Sequence, residues 1–150
     1  MSNLEFVYKY FNSLDVKELY DIYLLRTNVF VVEQKCAYPE VDEIDLKCGH
    51  LMLRNANGKL VAYARLIPEQ QQTVRIGRVV VDPDERKNGY GRKLMLQALE
   101  TSKQEFSSSK TFVLSSQEYA QPLYRSVGFK KCSDAYLEDG IPHVEMRLEL

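Results

Sequence analysis

The residues of this chain whose types and spacing best suit chemistry form the basic, glycine-rich turn Arg86-Lys87-Asn88-Gly89-Tyr90-Gly91. The turn lies between the β-branched run Val79-Val80-Val81, which indicates a buried strand, and a segment with helical apolar spacing. A helix N-terminus presents unpaired N–H groups and about half a positive charge, and glycine lets the backbone approach an anion closely. The arrangement therefore predicts a binding site for phosphate groups.

Spacing excludes two other kinds of glycine-rich phosphate site. The chain contains no G-x-x-x-x-G-K-[ST] sequence, so the turn is not a Walker loop. A dinucleotide fingerprint would need a third spaced glycine in an early βαβ unit and an acidic residue downstream, and neither is present. The charges of Arg86, Lys87, Arg92 and Lys93 alone would suit a solvated surface, and it is the two glycines that favour an anion site.

The composition is that of one globular domain spanning residues 1–150, with 45% hydrophobic and 27% charged residues. A formal net charge of −1 gives no overall attraction to nucleic acid or to a membrane, so we expect neither as a partner. Cys36, Cys48 and Cys132 are odd in number and share no C-x-x-C spacing, which argues against a disulfide framework and against a metal site. Because the sequence shows no secretory signal and no apolar span of transmembrane length, we expect a reduced, cytoplasmic protein.

The elements that must position the turn follow from the hydrophobic periodicity. Strands are predicted at 4–11, 49–55, 60–67, 73–81, 111–115, 129–132 and 143–150, and helices at 16–32, 89–105 and 119–126. Asp15 and Glu18 form a capping box before the first helix, Asn57-Gly58 predicts a hairpin, and Pro68 ends its second strand. Residues 33–47 are acidic and show no clear hydrophobic period. A segment of this kind inside a compact domain more often has a function than serves only as a connection.

This order, β-α-β-β-β-α-β-α-β-β, predicts an α/β (α+β) fold. We expect a mixed, mostly antiparallel sheet of about seven strands flanked by helices on both faces. The strands at 73–81 and 111–115 are joined by a helical crossover, so they should run parallel. A ligand would bind at their C-terminal ends, where such strands can separate.

The order of elements and the sequence Arg86-x-x-Gly89-x-Gly91 together resemble the GNAT acetyltransferase superfamily along nearly the whole chain. In that superfamily the loop holds the pyrophosphate of acetyl-coenzyme A (acetyl-CoA), and the preceding strand bulges so that a freed amide polarises the thioester carbonyl. The resemblance therefore implies acetyl-CoA as the cosubstrate and no metal. It implies cofactor contacts at Val79, Val80, Val81, Arg86, Lys87, Asn88, Gly89, Tyr90, Gly91, Arg92 and Gln117.

A second GNAT-like motif, Gln117-x-x-Ala120-x-x-x-Tyr124, follows the strand at 111–115. The resemblance implies that Gln117 lies near the cofactor and that Tyr124 is the catalytic acid that protonates the departing thiolate. A thiol has a pKa of ~8.5 and a phenol one of ~10, so proton transfer between them is close to balanced, as general acid catalysis requires. The alternative is that Tyr124, one of ten tyrosines, only packs in the core.

The general base for an amine acceptor is harder to assign. A lysine-type amine has a pKa of ~10.4 and must lose a proton before it attacks. Histone-type members of the superfamily carry a glutamate on the central strand, whereas this chain has Arg75-Ile76-Gly77-Arg78 there. Glu33, Glu40, Asp42 and His143 remain as substitutes, and a structural role for His143 also stays open.

Two arginines, Arg65 and Arg78, interrupt strands that are otherwise apolar. A buried guanidinium must be paired, and the acidic residues at 33–45 would form an internal ion-pair network with both. The alternative is that one of them faces the cleft and binds a substrate carboxylate through two parallel contacts. The candidate substrate residues are therefore Glu33, Arg65, Arg78 and His143.

Within the superfamily the chain is similar to the ElaA-like subgroup of small bacterial proteins. The residues that carry this similarity are Arg26-x-x-x-Phe30, Val32-Glu33-Gln34, Tyr38-Pro39-Glu40-x-Asp42-x-x-Asp45-Leu46 and Asp139-Gly140-Ile141-Pro142-His143. The similarity implies transfer of an acetyl group to a primary amine of an undetermined small molecule or peptide, by direct attack in a ternary complex, and it is compatible with a homodimer.

Two alternative functions stay open at this point. One is a non-catalytic module that binds and senses acetyl-CoA without turnover. The other is an acyltransferase like the acyl-homoserine lactone synthases, which share this fold and usually carry tryptophan in the N-terminal region. This chain contains no tryptophan and has the complete loop for coenzyme A, so the sequence favours the acetyltransferase.

Overall fold

The fold is built on one mixed β-sheet, seen in a computed structural model that describes residues 3–150. The strands are β1 (Glu5–Tyr10), β2 (Gly49–Arg54), β3 (Leu60–Glu69), β4 (Thr73–Val81), β5 (Thr111–Gln117), β6 (Lys130–Lys131), β7 (Tyr136–Glu138) and β8 (Ile141–Glu149). The helices are α1 (Val16–Arg26), α2 (Tyr90–Glu105) and α3 (Gln121–Ser126). A π-helical turn spans Thr27–Glu33, and short 3-10 turns span Phe11–Ser13, Glu43–Lys47, Pro83–Glu85 and Glu118–Ala120.

The sheet has the strand order β1-β2-β3-β4-β5-β8-β6, and β7 also pairs with β8. Only β4 and β5 run parallel, and the other described pairs are antiparallel. The predicted mixed, mostly antiparallel sheet and its parallel crossover are confirmed. The sheet has eight strands rather than about seven, because a turn with positive φ at Asp139 (50°) and Gly140 (78°) folds Tyr136–Glu138 back onto β8.

Helices cover both faces of the sheet, as predicted. On one face Ile22 and Leu25 of α1 pack against Met52, while the neighbouring Leu51 and Leu53 of β2 belong to the core on the other face. That second core is formed with α2 and α3. Its α2 members are the residues whose helical spacing predicted a buried face, namely Leu94, Met95, Ala98 and Leu99. Among residues 3–150 no helix combines the length and the apolar character that a membrane crossing needs.

Three element boundaries show where local sequence signals succeed and where they fail. The capping box is present, since the Glu18 amide donates to Asp15 Oδ1 (2.7 Å) and the Asp15 amide to Glu18 Oε1 (2.9 Å). The predicted helix continues to residue 33, but its winding widens to a π-helical turn after Arg26. The prediction that Pro68 ends β3 is wrong: β2 begins at Gly49, opposite Leu66, so beyond Leu66 β3 is paired with β4 only, and a proline is tolerated there.

The parallel strands β4 and β5 separate soon after they begin. Their pairing is confined to Thr73–Arg75 of β4 and Thr111–Val113 of β5, although β4 continues to Val81 and β5 to Gln117. The backbone groups of the C-terminal halves are therefore not used to join these two strands. The resulting gap lies at the position where a ligand is expected in such a sheet.

Candidate active site

A cavity of about 470 Å³ occupies the gap between β4 and β5. Of the site residues predicted from sequence, its lining includes Glu33, Arg78, Val79, Val80, Val81, Arg86, Gly91, Gln117, Tyr124 and His143. Lys87, Asn88, Gly89, Tyr90 and Arg92 belong to the same turn and to the first residues of α2, next to the lining residues. Arg65 is also absent from the lining, and unlike those residues it belongs to β3 and not to the basic turn. The fold thus brings both sequence motifs to one place.

Strand β4 bulges in the wall of this cavity. The register with β3 shifts between Tyr63 and Arg65, so that Ala64 alone faces two residues, Arg78 and Val79. Arg78 has a φ of 50°, a backbone conformation that a non-glycine residue holds only under constraint. A bulge leaves backbone groups outside the ladder, and this stretch of β4 lines the cavity, so its N–H groups can face a ligand oxygen.

The basic turn leads into an open N-terminus of α2. Gly89 is the N-cap residue with a φ of 76°, and no side chain within residues 3–150 caps the first N–H groups of the helix. No acidic residue stands in the first turn of α2, and Lys87 also has a positive φ of 70°. A Cβ atom on Gly91 would lie 3.3 Å from Leu123 Cδ2, so glycine lets α2 and α3 approach closely. The helix start can therefore offer several N–H donors to an anion.

Tyr124 both packs in the core and reaches the cavity. It is only 7% exposed, belongs to the core cluster of α2 and α3, and contacts Phe129 edge to face, with ring centroids 6.4 Å apart. Burial raises its pKa above the usual value for a phenol, so the hydroxyl keeps its proton at neutral pH. A protonated phenol at the cavity wall can donate that proton to a developing thiolate.

Glu33 and Arg86 connect the π-helical turn to the basic turn. The guanidinium of Arg86 donates to both carboxylate oxygens of Glu33, at 2.7 and 2.8 Å. The hydrogen bonds from Arg86 hold the pKa of Glu33 below its usual value. Because both side chains are about 40% exposed, this contact is an exchangeable ion pair rather than a buried one.

Six charged residues behind the cavity form a closed ring of ion pairs. Each of its three arginines contacts two of the three carboxylates, in the order Arg26, Glu40, Arg78, Asp42, Arg65, Asp45 and back to Arg26. The N···O distances around this ring are 2.5, 2.9, 3.5, 2.8, 3.0 and 2.7 Å. The ring ties α1, the acidic segment, β3 and β4 together. Of the two interpretations of Arg65 and Arg78, the geometry therefore shows internal ion pairs.

The ring lowers the pKa of two of its carboxylates, Asp45 and Asp42, in spite of the desolvation that burial brings. Burial alone would raise the pKa of Asp45, but hydrogen bonds and charge from Arg26 and Arg65 more than offset this, and the pKa lies below its usual value. Asp42 behaves in the same way through Arg65 and Arg78. Arg78 is at once a ring member and the bulged residue of β4, so the ring also holds the bulge in place.

A second buried polar group lies next to the ring and has the composition of a metal site. Ligand atoms of Asp45, Cys48 and His50 lie within 4.8 Å of one another. Two of the three are already engaged, since the Asp45 carboxylate accepts from the ring arginines and His50 Nε2 donates to the Asp45 carbonyl at 2.9 Å. His50 Nδ1 accepts from the Tyr63 hydroxyl at 2.6 Å, and burial lowers the pKa of this histidine. The donor set fits a hydrogen-bonded structural cluster and not a cation.

One end of the cavity is formed by residues of β5, β7 and β8. His143 is 6% exposed, and its Nδ1 lies 2.7 Å from the carbonyl of Ile141. The ring of Tyr136 stacks on the imidazole with centroids 6.3 Å apart. Gln117, opposite His143 in the sheet, donates to Gln34 Oε1 at 3.2 Å, which joins β5 to the segment after the π-helical turn.

Sequence reasoning missed several residues at this end. Cys36, Tyr38, Glu138 and Asp139 line the cavity, and the guanidinium of Arg78 lies over the Tyr38 ring at 5.6 Å. Tyr38 and Asp139 stand in the sequences that resemble the ElaA-like subgroup, and the sequence also indicates a turn at Asp139-Gly140, but neither signal assigned them a place in the site. The proximity of this turn to the bulge depends on β7, an element of three exposed residues without a hydrophobic period.

Comparison with known proteins adds similarity in sequence and in structure. A family model described as "Acetyltransferase (GNAT) domain" matches residues 29–150. Protein ElaA of Escherichia coli (strain K12) is 38% identical over 142 residues, which cover 93% of this chain and 92% of that protein. The crystal structure of an acyl-CoA N-acyltransferase from Pseudomonas aeruginosa has a TM-score of 0.90 at 41% identity, covering 97% of this chain and 99% of that one. A Bacillus subtilis acetyltransferase solved in complex with CoA shares the fold, with a TM-score of 0.66 at 21% identity over 100% and 99% of the two chains.

Proposed function

The chain belongs to the GNAT acetyltransferase family, and from this we propose that it is an N-acetyltransferase that uses acetyl-CoA. The proposed reaction moves the acetyl group to a primary amine of a small molecule or peptide, by direct attack while both substrates are bound. The observation that carries the proposal is that an open helix N-terminus, a strand bulge and a protonated, buried tyrosine border one cavity between two separated strands.

The residues present fit acetyl-CoA. The uncapped start of α2 and the backbone of the turn at 86–91 would hold the pyrophosphate, with Arg86, Lys87 and Arg92 adding positive charge. Val79, Val80 and Val81 line the cavity beyond the bulge, and Gln117 faces them from β5. When bound, acetyl-CoA supplies an acetyl group activated as a thioester.

Two groups of the chain would then act on the reacting bonds. The backbone N–H groups at the bulge next to Arg78 would donate to the carbonyl oxygen, whose negative charge grows as the amine attacks. Tyr124 would protonate the departing sulfur, because its hydroxyl carries a proton and the residue borders the cavity. Removing a general acid of this kind typically lowers the rate by about 10²- to 10⁴-fold.

Direct attack is favoured because none of the cysteines is equipped to carry the acetyl group. Burial raises the pKa of Cys48 to about 12, and Cys48 and Cys132 lie outside the cavity lining. Cys36 lines the cavity, but its thiol contacts the carbonyl oxygen of Asp139 at 3.5 Å, and a carbonyl cannot remove the thiol proton.

The experiment that tests the cofactor site is isothermal titration with acetyl-CoA of the wild type, Gly89→Glu and Gly58→Glu. The two glycines are matched, because each has a positive φ (76° and 81°) and nothing within 4 Å of the position of a Cβ atom, but only Gly89 borders the phosphate site. We expect binding by the wild type and by Gly58→Glu, and loss of binding in Gly89→Glu, where a carboxylate would repel the pyrophosphate. Absence of binding by the wild type would refute the acetyltransferase assignment.

A thiol-release assay of Tyr124→Phe tests whether the bound cofactor is turned over. The wild type should release CoA in the presence of an amine, and the variant should lose about 100-fold or more in kcat while it keeps its affinity for acetyl-CoA. An unchanged rate would exclude Tyr124 as the acid. A wild type that binds acetyl-CoA but acetylates no amine would instead fit a sensing module.

A further inference from the structure

The end of the cavity formed by β7 and the turn after it carries two carboxylates that pair with no lysine or arginine among residues 3–150. Glu138 and Asp139 line the cavity from the turn between β7 and β8, and both are exposed. Glu138 Oε1 accepts a hydrogen bond from Ser115 Oγ at 3.3 Å. Within residues 3–150 the carboxylate of Asp139 forms no ion pair. These two side chains are therefore free to meet a ligand charge.

The positive side chains of the cavity do not neutralise this end. Arg86 is paired with Glu33 and faces the phosphate site, and Arg78 is held in the ion-pair ring by two carboxylates. The cavity thus has a basic end for phosphate and an acidic end bounded by Glu138 and Asp139. A cationic acceptor would be attracted to the acidic end, and an anionic one repelled.

His143 lies at the acidic end with one ring nitrogen committed and the other available. Its Nδ1 is 2.7 Å from the Ile141 carbonyl, which can only accept, so Nδ1 carries a proton. The neutral imidazole then has its lone pair on Nε2. That atom lies 3.5 Å from Glu138 Oε2 and has no shorter polar contact in the described part of the chain. Tyr136 stacks on the imidazole and orients it, and His143 is only 6% exposed to solvent.

We infer, building on the proposed acetyltransferase function, that the acceptor is a cationic alkylamine and that His143 Nε2 is its general base. Glu138 and Asp139 bind the ammonium group and bring it to the imidazole. The Glu138 carboxylate beside Nε2 then stabilises the imidazolium that forms on proton transfer. This assignment fills the place of the central-strand glutamate that the sequence of β4 lacks.

The inferred step balances as follows. The ammonium group gives one proton to Nε2, and the freed nitrogen lone pair forms the C–N bond with the acetyl carbon. The C–S bond breaks with its electron pair on sulfur, which takes the proton of the Tyr124 hydroxyl. After the attack the nitrogen loses one further proton, which passes through water to the Tyr124 phenolate. His143 then releases to solvent the proton that it took from the ammonium group. One ammonium and one thioester thus give one amide, one thiol and one proton.

The test compares an alkylamine with an amine that needs no base. At pH 7 only about 1 in 2,500 molecules of an alkylamine with a pKa of ~10.4 is unprotonated, so its acetylation depends on the base. The probes are 1,4-diaminobutane, which is cationic, and aniline, which is neutral at this pH. Each is assayed by thiol release with the full-length wild type and with His143→Gln, Glu138→Gln and Asp139→Asn. Asp134→Asn is the control, since Asp134 is exposed and outside the cavity lining.

We expect His143→Gln to lower kcat/KM for 1,4-diaminobutane by about 100-fold and that for aniline by less than threefold. Glu138→Gln and Asp139→Asn should each raise KM for the diamine about fivefold or more without affecting aniline, and Asp134→Asn should change neither. Equal losses with both probes in His143→Gln would show a structural role and overturn the base assignment. A normal KM for the diamine in both Glu138→Gln and Asp139→Asn would overturn the assignment of these two carboxylates as the ammonium site.

The outcome with the wild type separates this inference from the proposed function. Turnover of aniline without turnover of the diamine would leave an N-acetyltransferase in place and refute a cationic acceptor. Binding of acetyl-CoA without turnover of either probe would refute the proposed function, and the inference with it. If His143→Gln does not fold, Glu138→Gln and Asp139→Asn still test the inference, because both residues are exposed and lie at or next to a surface turn.

Discussion

Replacement of Arg26 by methionine should destabilise the fold more than any surface ion pair could. Arg26 is completely buried and donates four hydrogen bonds, to Glu40 Oε2 (2.5 Å), the Glu40 carbonyl (2.9 Å) and both oxygens of Asp45 (2.7 and 3.1 Å). Methionine fills much of the same volume but removes the charge. The ring of ion pairs would then be open, with three carboxylates facing two arginines.

The size of the destabilisation expected for Arg26→Met follows from the burial of Glu40 and Asp45. The side chains of Glu40 and Asp45 are only 4% and 1% exposed, so water cannot replace the lost donors. Removing one member of a buried ion pair typically costs about 3–5 kcal/mol, because the remaining charge is left uncompensated. For a domain of this size each kcal/mol lowers the melting temperature by about 2–4 °C, so the expected decrease is about 6–20 °C.

The assay is urea and thermal unfolding of the wild type, Arg26→Met and the control Lys17→Met. Lys17 forms a surface ion pair with Asp21 at 2.6 Å, and its side chain is 74% exposed. The same type of substitution should cost there only about 0.3–0.5 kcal/mol. A loss below about 1 kcal/mol in Arg26→Met, similar to that of the control, would refute the argument that the ring stabilises the fold through buried charge.

Three further predictions concern other parts of the molecule. In Gly49→Ala the new Cβ would lie 2.1–2.4 Å from the hydroxyl oxygen and two ring carbons of Tyr8, so we expect a loss of about 1–3 kcal/mol in urea unfolding. Because burial lowers the pKa of His50, the unfolded chain takes up the proton first, and the melting temperature should fall as the pH decreases below ~6.5. Glu33→Gln releases Arg86 for the cofactor phosphate, and titration should show binding of acetyl-CoA up to about fivefold tighter, since such an exposed pair is worth at most about 1 kcal/mol.

Each of these predictions has a matched control. Gly77→Ala places its Cβ no closer than 3.6 Å to other atoms, so it should cost much less than Gly49→Ala, and an equal cost would exclude the steric explanation. In His50→Gln the melting temperature should vary less between pH 7 and 5, and an unchanged slope would assign the effect to another group. Glu149→Gln breaks an exposed pair with Arg147 away from the cavity and should leave affinity unaltered. Weaker binding by Glu33→Gln would mean that this pair instead holds the turn in its binding conformation.

The sequence predicts best those parts that depend on residues close together in the chain. The strand at 73–81, the turn and the helix after it were predicted because an apolar run, a proline and two glycines stand next to one another. The prediction from Pro68 was wrong because the effect of this proline depends on where β2 begins opposite β3, which no local pattern shows. For the ion-pair ring, the sequence predicted only that Arg65 and Arg78 would pair with acidic residues of the segment at 33–45. Arg26 joins it only because the helix places that residue against the acidic segment.

The separation of its members along the chain gives the ring a consequence for folding kinetics. Its hydrogen-bonded partners are 14 to 38 residues apart, and they come from a helix, a loop and two strands. The ring cannot close until all four have docked, so its contacts should be largely absent from the transition state for folding. Substitutions in the ring should therefore accelerate unfolding and leave the folding rate nearly unchanged. In this protein the same charges that hold the strand bulge next to the cavity would then set the lifetime of the native state.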